Sequence, residues 1–173
     1  MTAVTWEESP LGRHHDRKAF DCGDADLNDY FHRYARQNHD SGGAKCFVAT
    51  TSDSPSRILG FYTLSPASLG FARVPELVRK GLGRYDVPVF KLGCLAIDGA
   101  MQGRGLGSAL VLRAADRCMR VAVEVGGVAL LIDAKGDGIA VWYERLGAVR
   151  LPDTPLSLIL PLRATTSGID ETR

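Results

Sequence analysis

Leu92-Gly93-Cys94-Leu95-Ala96-Ile97-Asp98-Gly99-Ala100-Met101-Gln102-Gly103-Arg104-Gly105-Leu106-Gly107-Ser108 reads as an apolar strand, a glycine turn and the start of a helix. Glycines in such a turn let backbone N–H groups converge, and the first turn of the helix adds donors and the positive end of a dipole. Together these features suit a phosphate or pyrophosphate. Two common phosphate motifs are absent. No Gly-Lys-Ser/Thr triplet occurs, so there is no P-loop. The dinucleotide fingerprint would need a third glycine where Ser108 stands, and would open the first β–α–β unit instead of following several strands.

Outward from that turn the pattern alternates. On the C-terminal side, Leu106, Leu110, Val111, Ala114, Cys118 and Val121 form one apolar face of a long helix from about Gly107 to Glu124, ended by Gly126-Gly127. Val128 to Asp133 is a continuous apolar run, expected as a buried strand parallel to the one before the helix. Ile139 to Leu146 is a short helix closed by Gly147, Leu156 to Leu162 a final strand, and 163–173 a polar tail. On the N-terminal side, the strand of the turn spans Val89 to Asp98, with Gly93 marking a bulge or a close backbone approach. Before it, Pro88 closes a basic stretch carrying Arg73, Arg79, Lys80 and Arg84, in which Val74 to Gly81 predicts a short helix with Pro75 in its first turn. Two strands precede this, Lys45 to Thr50 and Arg57 to Ser65, the second stopped by Pro66. The first helix is capped by Asp24, presents Leu27, Tyr30, Phe31, Tyr34 and Ala35, and runs unbroken to Ser41-Gly42-Gly43. The fold class is α/β, built round a β–α–β crossover that carries the glycine turn.

Composition narrows the function classes. The chain has 173 residues, 45% hydrophobic and 24% charged, with 21 Lys+Arg against 20 Asp+Glu. This is ordinary for one compact domain, and no linker or repeat divides it. A net charge of +1 gives no global nucleic-acid signature, so an anionic partner would need a local patch. No apolar run reaches the roughly 18 residues that cross a bilayer, and the acidic N-terminus Met1-Thr2-Ala3-Val4-Thr5-Trp6-Glu7-Glu8 argues against secretion. Cys22, Cys46, Cys94 and Cys118 are widely spaced, which favours reduced thiols and a cytoplasmic location over a disulfide framework or zinc site. His14-His15-Asp16 is not a metal signature either, so no metal is expected.

Gln102-x-x-Gly105-x-Gly107 resembles the Q/R-x-x-G-x-G/A motif of the GNAT (Gcn5-related) acetyltransferases. Five more stretches occur in family order along the chain: Phe20-x-Cys22-Gly23-x-x-x-Leu27-Asn28-x-Tyr30; Gly60-Phe61-Tyr62-Thr63-Leu64-Ser65; Leu95-Ala96-Ile97-Asp98; Asp133-Ala134-Lys135; and Trp142-Tyr143-Glu144-x-x-Gly147. Over about 18–162 the chain is similar to one GNAT branch, the toxins of bacterial toxin–antitoxin pairs that acetylate aminoacyl-tRNA. The resemblance implies a mixed, mostly antiparallel central sheet with a splayed parallel strand pair and flanking helices. It implies acetyl-CoA as cosubstrate, translation inhibition, a ribbon-helix-helix antitoxin and a homodimer. Three positions depart from the branch: Cys94 stands where arginine is usual, Lys91 where an apolar residue is common, and Ala148 where phenylalanine is frequent.

The resemblance also implies roles. The amides of Gly103, Arg104, Gly105, Leu106, Gly107 and Ser108 would face the pyrophosphate, with Gln102 bracing the loop. Leu95, Ala96 and Ile97 would pair by backbone with the pantetheine arm, and an amide there would polarise the thioester carbonyl. Tyr143 would be the general acid, since a phenol of pKa ~10 is protonated at neutral pH. A role for Trp142 in packing is the simpler reading. RNA phosphates would meet Arg79, Lys80, Arg84, Lys91, Arg104 or Lys135, residues that equally suit a solvated basic face. Three functions stay open: a toxin acetylating aminoacyl-tRNA, an acetyltransferase for a small-molecule or protein amine, and a non-enzymatic module that keeps the fold.

Overall fold

A computed structural model of the chain describes residues 4–162; the expected polar tail at 163–173 lies outside the described residues. Seven strands form one sheet: β1 Glu7–Pro10, β2 Lys45–Thr50, β3 Gly60–Leu69, β4 Val87–Ile97, β5 Ala129–Asp133, β6 Val149–Arg150 and β7 Ser157–Pro161. Their order is β1-β2-β3-β4-β5-β7-β6. β4 and β5 are parallel, with Phe90 opposite Leu130 and Leu92 opposite Ile132. The pairs β1–β2, β2–β3, β5–β7 and β6–β7 are antiparallel. The helices are α1 Ala25–Arg33, α2 Ala35–Ser41, α3 Glu76–Arg79, α4 Leu106–Val125 and α5 Asp137–Arg145. This is the mixed, mostly antiparallel sheet with one parallel pair and flanking helices that the resemblance implied.

The described residues group into two compact units, 4–65 with 93–111 and 66–92 with 112–162. The core of the first holds Leu11, Phe20, Phe31, Ala35, Cys46, Val48, Ile58, Phe61 and Ala96. Phe31 stacks on Phe61 with ring centroids 4.0 Å apart, and Phe20 meets both edge-on. Each buried phenylalanine contributes about 1.5–3 kcal/mol over an exposed one. The core of the second holds Leu69, Val74, Val87, Val89, Ala129, Leu151 and Ile159.

Several elements differ from the sequence reading. The first helix is broken at Tyr34, which sits at φ −115°. Its cause is Arg17, whose guanidinium donates to the carbonyls of Phe31 and His32 at 3.2 and 2.8 Å and so competes with the helical ladder. β3 passes through Pro66 to Leu69, because pairing with β2 already ends at Lys45 opposite Leu64. Pro88 lies inside β4, ahead of its first residue paired with β5, and its carbonyl still accepts the Val128 N–H at 3.0 Å. On α4, Leu106, Leu110, Val111, Ala114 and Cys118 are buried, but Val121 is exposed. The buried row advances by four residues and so reaches half-buried Ala122 instead. The sequence pattern gives no signal for β1 or β6.

Candidate active site

In the first unit, the glycine turn is built by short-range bonds. Asp98 follows the last residue of β4, and its carboxylate accepts the Ala100 N–H at 3.1 Å, which caps a 3-10 turn at Gly99–Met101. Gln102 then runs extended, and its side-chain amide donates to Ile97 O and to Cys22 O, both at 2.9 Å. Gly103 and Gly105 adopt φ +76° and +83°, a region costly for any residue with a Cβ. No atom lies within 4 Å of where either Cβ would be, so the requirement is for the backbone conformation and not for room. Gly105 O accepts the first helical bond of α4 from Ala109 at 3.2 Å. The amides of Leu106, Gly107 and Ser108 therefore belong to the helix's first turn, where N–H groups lack intrahelical partners. Leu106 anchors that turn with a buried side chain, while Gly103, Arg104 and Gly105 are exposed.

The end of β4 carries half-buried Leu95 and Ile97 with buried Ala96 between them. Just before them, Cys94 N–H donates to Thr63 Oγ1 at 2.9 Å, and a Cβ on Gly93 would lie 2.9 Å from the same oxygen. The glycine expected to mark a bulge or a close approach thus makes room for the Thr63 hydroxyl. Thr63 is itself 2% exposed. A loop before α1 is tied to the turn as well. Gly99 N–H donates to Asp21 O at 2.9 Å, and Asp21 N–H to the Asp98 carboxylate at 3.2 Å. The Gly23 N–H and the Asn28 amide hold the Asp21 carboxyl below the usual range. The sequence does not mark Thr63, Asp21 or Asn28 as site residues, although all three sit in motifs that carry the resemblance.

In the second unit, Tyr143 lies in α5 and is 6% exposed. Its ring meets the half-buried Trp142 ring edge-on at 4.8 Å. Arg150 ties β6 to α5 through Asp137 and Glu144, each at 2.8 Å. Asp133, at the end of β5, accepts from Ser157 Oγ at 2.7 Å and pairs with Lys91 at 3.4 Å. Lys91 therefore spends its charge beside a carboxylate. Arg79 pairs with Glu76 at 3.6 Å and lies 5.3 Å over the Phe71 ring. Lys80, Arg84 and Lys135 are exposed, as is Arg104 in the first unit. Arg79, Lys80 and Arg84 share one segment, whereas Lys91 and Lys135 lie on others.

His15 is buried, accepts the Gly12 N–H on Nδ1 at 2.9 Å and packs on the His14 ring. Among the described residues no group of three or more His, Cys, Asp or Glu side chains could hold a metal ion. No helix among them is long and apolar enough to cross a membrane.

Comparison with known proteins gives concordant results. The sequence pattern of the acetyltransferase (GNAT) family matches residues 6–147. A tRNA-acetylating toxin of Mycobacterium tuberculosis (strain ATCC 25618 / H37Rv) is 38% identical over 148 residues, covering 86% of this chain and 87% of that protein. AtaT in complex with acetyl-methionyl-tRNAfMet superposes with a TM-score of 0.88 at 24% identity over 95% of this chain and 99% of that one, a likeness of fold. A tyrosine-to-phenylalanine mutant of KacT gives a TM-score of 0.87 at 25% identity, covering 94% and 98% of the two chains.

Proposed function

The chain belongs to the acetyltransferase (GNAT) family, and from that premise we propose that it is a toxin that moves the acetyl group of acetyl-CoA to the amino group of aminoacyl-tRNA and so blocks translation. The observation that carries the coenzyme half is the exposed turn at 103–105, left-handed at both glycines and leading straight into the first turn of a 20-residue helix. The acceptor half draws support from the 38% identity to a tRNA-acetylating toxin. The activity is assigned to one acetyltransferase domain, with its core at about 18–162.

The residues present fit the coenzyme. Amides of Gly103, Arg104, Gly105, Leu106, Gly107 and Ser108 would hold the pyrophosphate, with the Ser108 hydroxyl as a further donor. The Gln102 bonds to Ile97 and Cys22 keep that backbone in place. Main-chain groups of Leu95, Ala96 and Ile97 would take the pantetheine arm and polarise the thioester carbonyl. The acceptor amine attacks that carbonyl carbon, the carbon–sulfur bond breaks, and the phenol of Tyr143 donates its proton to the leaving thiolate. The proton lost by the amine goes to solvent, and the phenol regains one from there. An α-amino group has a pKa of about 7.7–8.0, so a free-base fraction exists at neutral pH without a protein base.

Arg79, Lys80, Arg84, Lys91, Arg104 and Lys135 are the RNA contacts of this proposal, the exposed cations Lys80 and Arg84 ahead of the Asp133-bound Lys91. A ribbon-helix-helix antitoxin, a homodimer and a cytoplasmic location complete it; a toxin–antitoxin complex is known for AtaT with the C-terminus of AtaR. The test is incubation with labelled acetyl-CoA and charged bulk tRNA. Label on the aminoacyl moiety is the expected result. Label on small amines or protein amines with none on aminoacyl-tRNA overturns the acceptor assignment.

A further inference from the structure

We propose that Asn28 is a positioning residue for the coenzyme loop, acting from α1 through the turn at 21–23; this rests on the coenzyme reading above. The Asn28 side chain makes three bonds to that turn. Its amide nitrogen donates to the Asp21 carboxylate at 2.8 Å, and its oxygen accepts from Cys22 N–H at 3.0 Å and from the Cys22 thiol at 3.2 Å. The turn makes three bonds onward. Asp21 N–H reaches the Asp98 carboxylate, Asp21 O takes the Gly99 N–H, and Cys22 O takes the Gln102 side-chain amide. The same Asp21 carboxylate oxygen that meets Asn28 also accepts the Gly23 N–H at 2.9 Å, which closes the turn on itself.

The consequence is mechanical. A backbone held left-handed at Gly103 and Gly105 needs a fixed entry point, and Gln102 supplies it through two bonds, to Ile97 O on the strand and to Cys22 O on the turn before α1. Cys22 is placed by Asn28, and α1 is a stable base because Asp24 caps it with bonds to the N–H groups of Asp26 and Leu27. His32 Nε2 donates to Phe20 O at 2.8 Å and pins the chain just before the turn. The motif from Phe20 to Asn28 thereby gains a function: it is the bracket that carries the glycine turn.

Calorimetric titration with coenzyme A tests this without requiring an acceptor. Asn28→Ala should weaken coenzyme A binding about tenfold, the scale of one or two lost hydrogen bonds. Asp29→Ala, one residue along α1 and paired with Arg33, should leave it unchanged. In a double-mutant cycle, Asn28→Ala and Gln102→Ala should be non-additive, because they act on one chain of bonds. Should Asn28→Ala fold poorly, the isosteric Asn28→Asp keeps the acceptor for Cys22 but sets a carboxylate against Asp21, and should also weaken binding. A folded Asn28 variant that binds like wild type, or additive effects in the cycle, overturns the inference alone. A wild-type protein that does not bind coenzyme A overturns the functional reading and this inference with it.

Discussion

Replacing Gly105 by alanine separates backbone strain from every other effect. Gly105 sits at φ +83° with nothing within 4 Å of a new Cβ, so the methyl group meets no neighbour. What remains is the cost of holding an L-residue left-handed, about 1–2 kcal/mol. If the loop relaxes out of that conformation in the free protein, the ligand must restore it on binding. Affinity for coenzyme A should then fall by about 5- to 30-fold. Gly42 provides the control. It ends α2 at φ +83°, also with open space around it. Gly42→Ala carries the same strain at a helix C-terminus, so it should lower thermal stability and leave coenzyme A affinity alone. Gly105→Asn should fall between wild type and Gly105→Ala, because asparagine tolerates the left-handed region better. The assay is calorimetric titration beside thermal unfolding for each variant. If Gly105→Ala both binds coenzyme A and unfolds like wild type, the loop has left the left-handed conformation at no cost to binding, and that turn is not what holds the diphosphate.

Tyr143→Phe should reduce turnover by about 10²-fold or more while coenzyme A affinity is retained, since only a proton donor is lost; measuring kcat beside the dissociation constant checks both, and unchanged kcat removes Tyr143 from the mechanism. Burial pushes the Cys118 thiol up to about 12 and drives that of Cys46 higher still. Iodoacetamide at mildly alkaline pH should therefore label these two more slowly than half-buried Cys22 and Cys94, read peptide by peptide in a mass spectrometer. Equal rates at Cys118 and Cys94 would contradict the packing of α4.

The elements most legible in the sequence are those whose signals are local. Asp24 as a cap, the glycines at 103 and 105, and the row Leu106, Leu110, Ala114, Cys118 each report on neighbours within a turn or two of chain. Elements that depend on a distant partner were less legible. Glu7–Pro10 carries two glutamates, a serine and a proline, and becomes a strand only because β2 offers its backbone along an edge. Val149–Arg150 is too short for any alternation and is defined by β7. The break at Tyr34 is invisible locally because its cause, Arg17, lies 14 and 15 residues from the carbonyls it takes. Pro66 and Pro88 read as stops because a missing N–H matters only where a partner strand would use it.

The candidate site divides in the same way. The glycine turn and Gln102 were readable from spacing, whereas Gln102's partner Cys22 is 80 residues away. Lys91 is a candidate RNA contact by sequence, but its partner Asp133, 3.4 Å away, is distant in the chain and so not visible there. Thr63 gave no sign of its bond to Cys94, because a threonine in a strand is unremarkable until the facing strand shows a glycine there.

The grip of the turn on a diphosphate is tested most directly by titrating the wild-type protein and Gly105→Ala with coenzyme A and, separately, with pantetheine, which lacks the diphosphate and the 3′-phosphoadenosine beyond it; the turn's share is the part of the difference that Gly105→Ala removes. Two charge-assisted hydrogen bonds are enough to make pantetheine at least about a hundredfold weaker, and that is the expected result. Equal affinity for the two compounds, or no binding of coenzyme A, would contradict it.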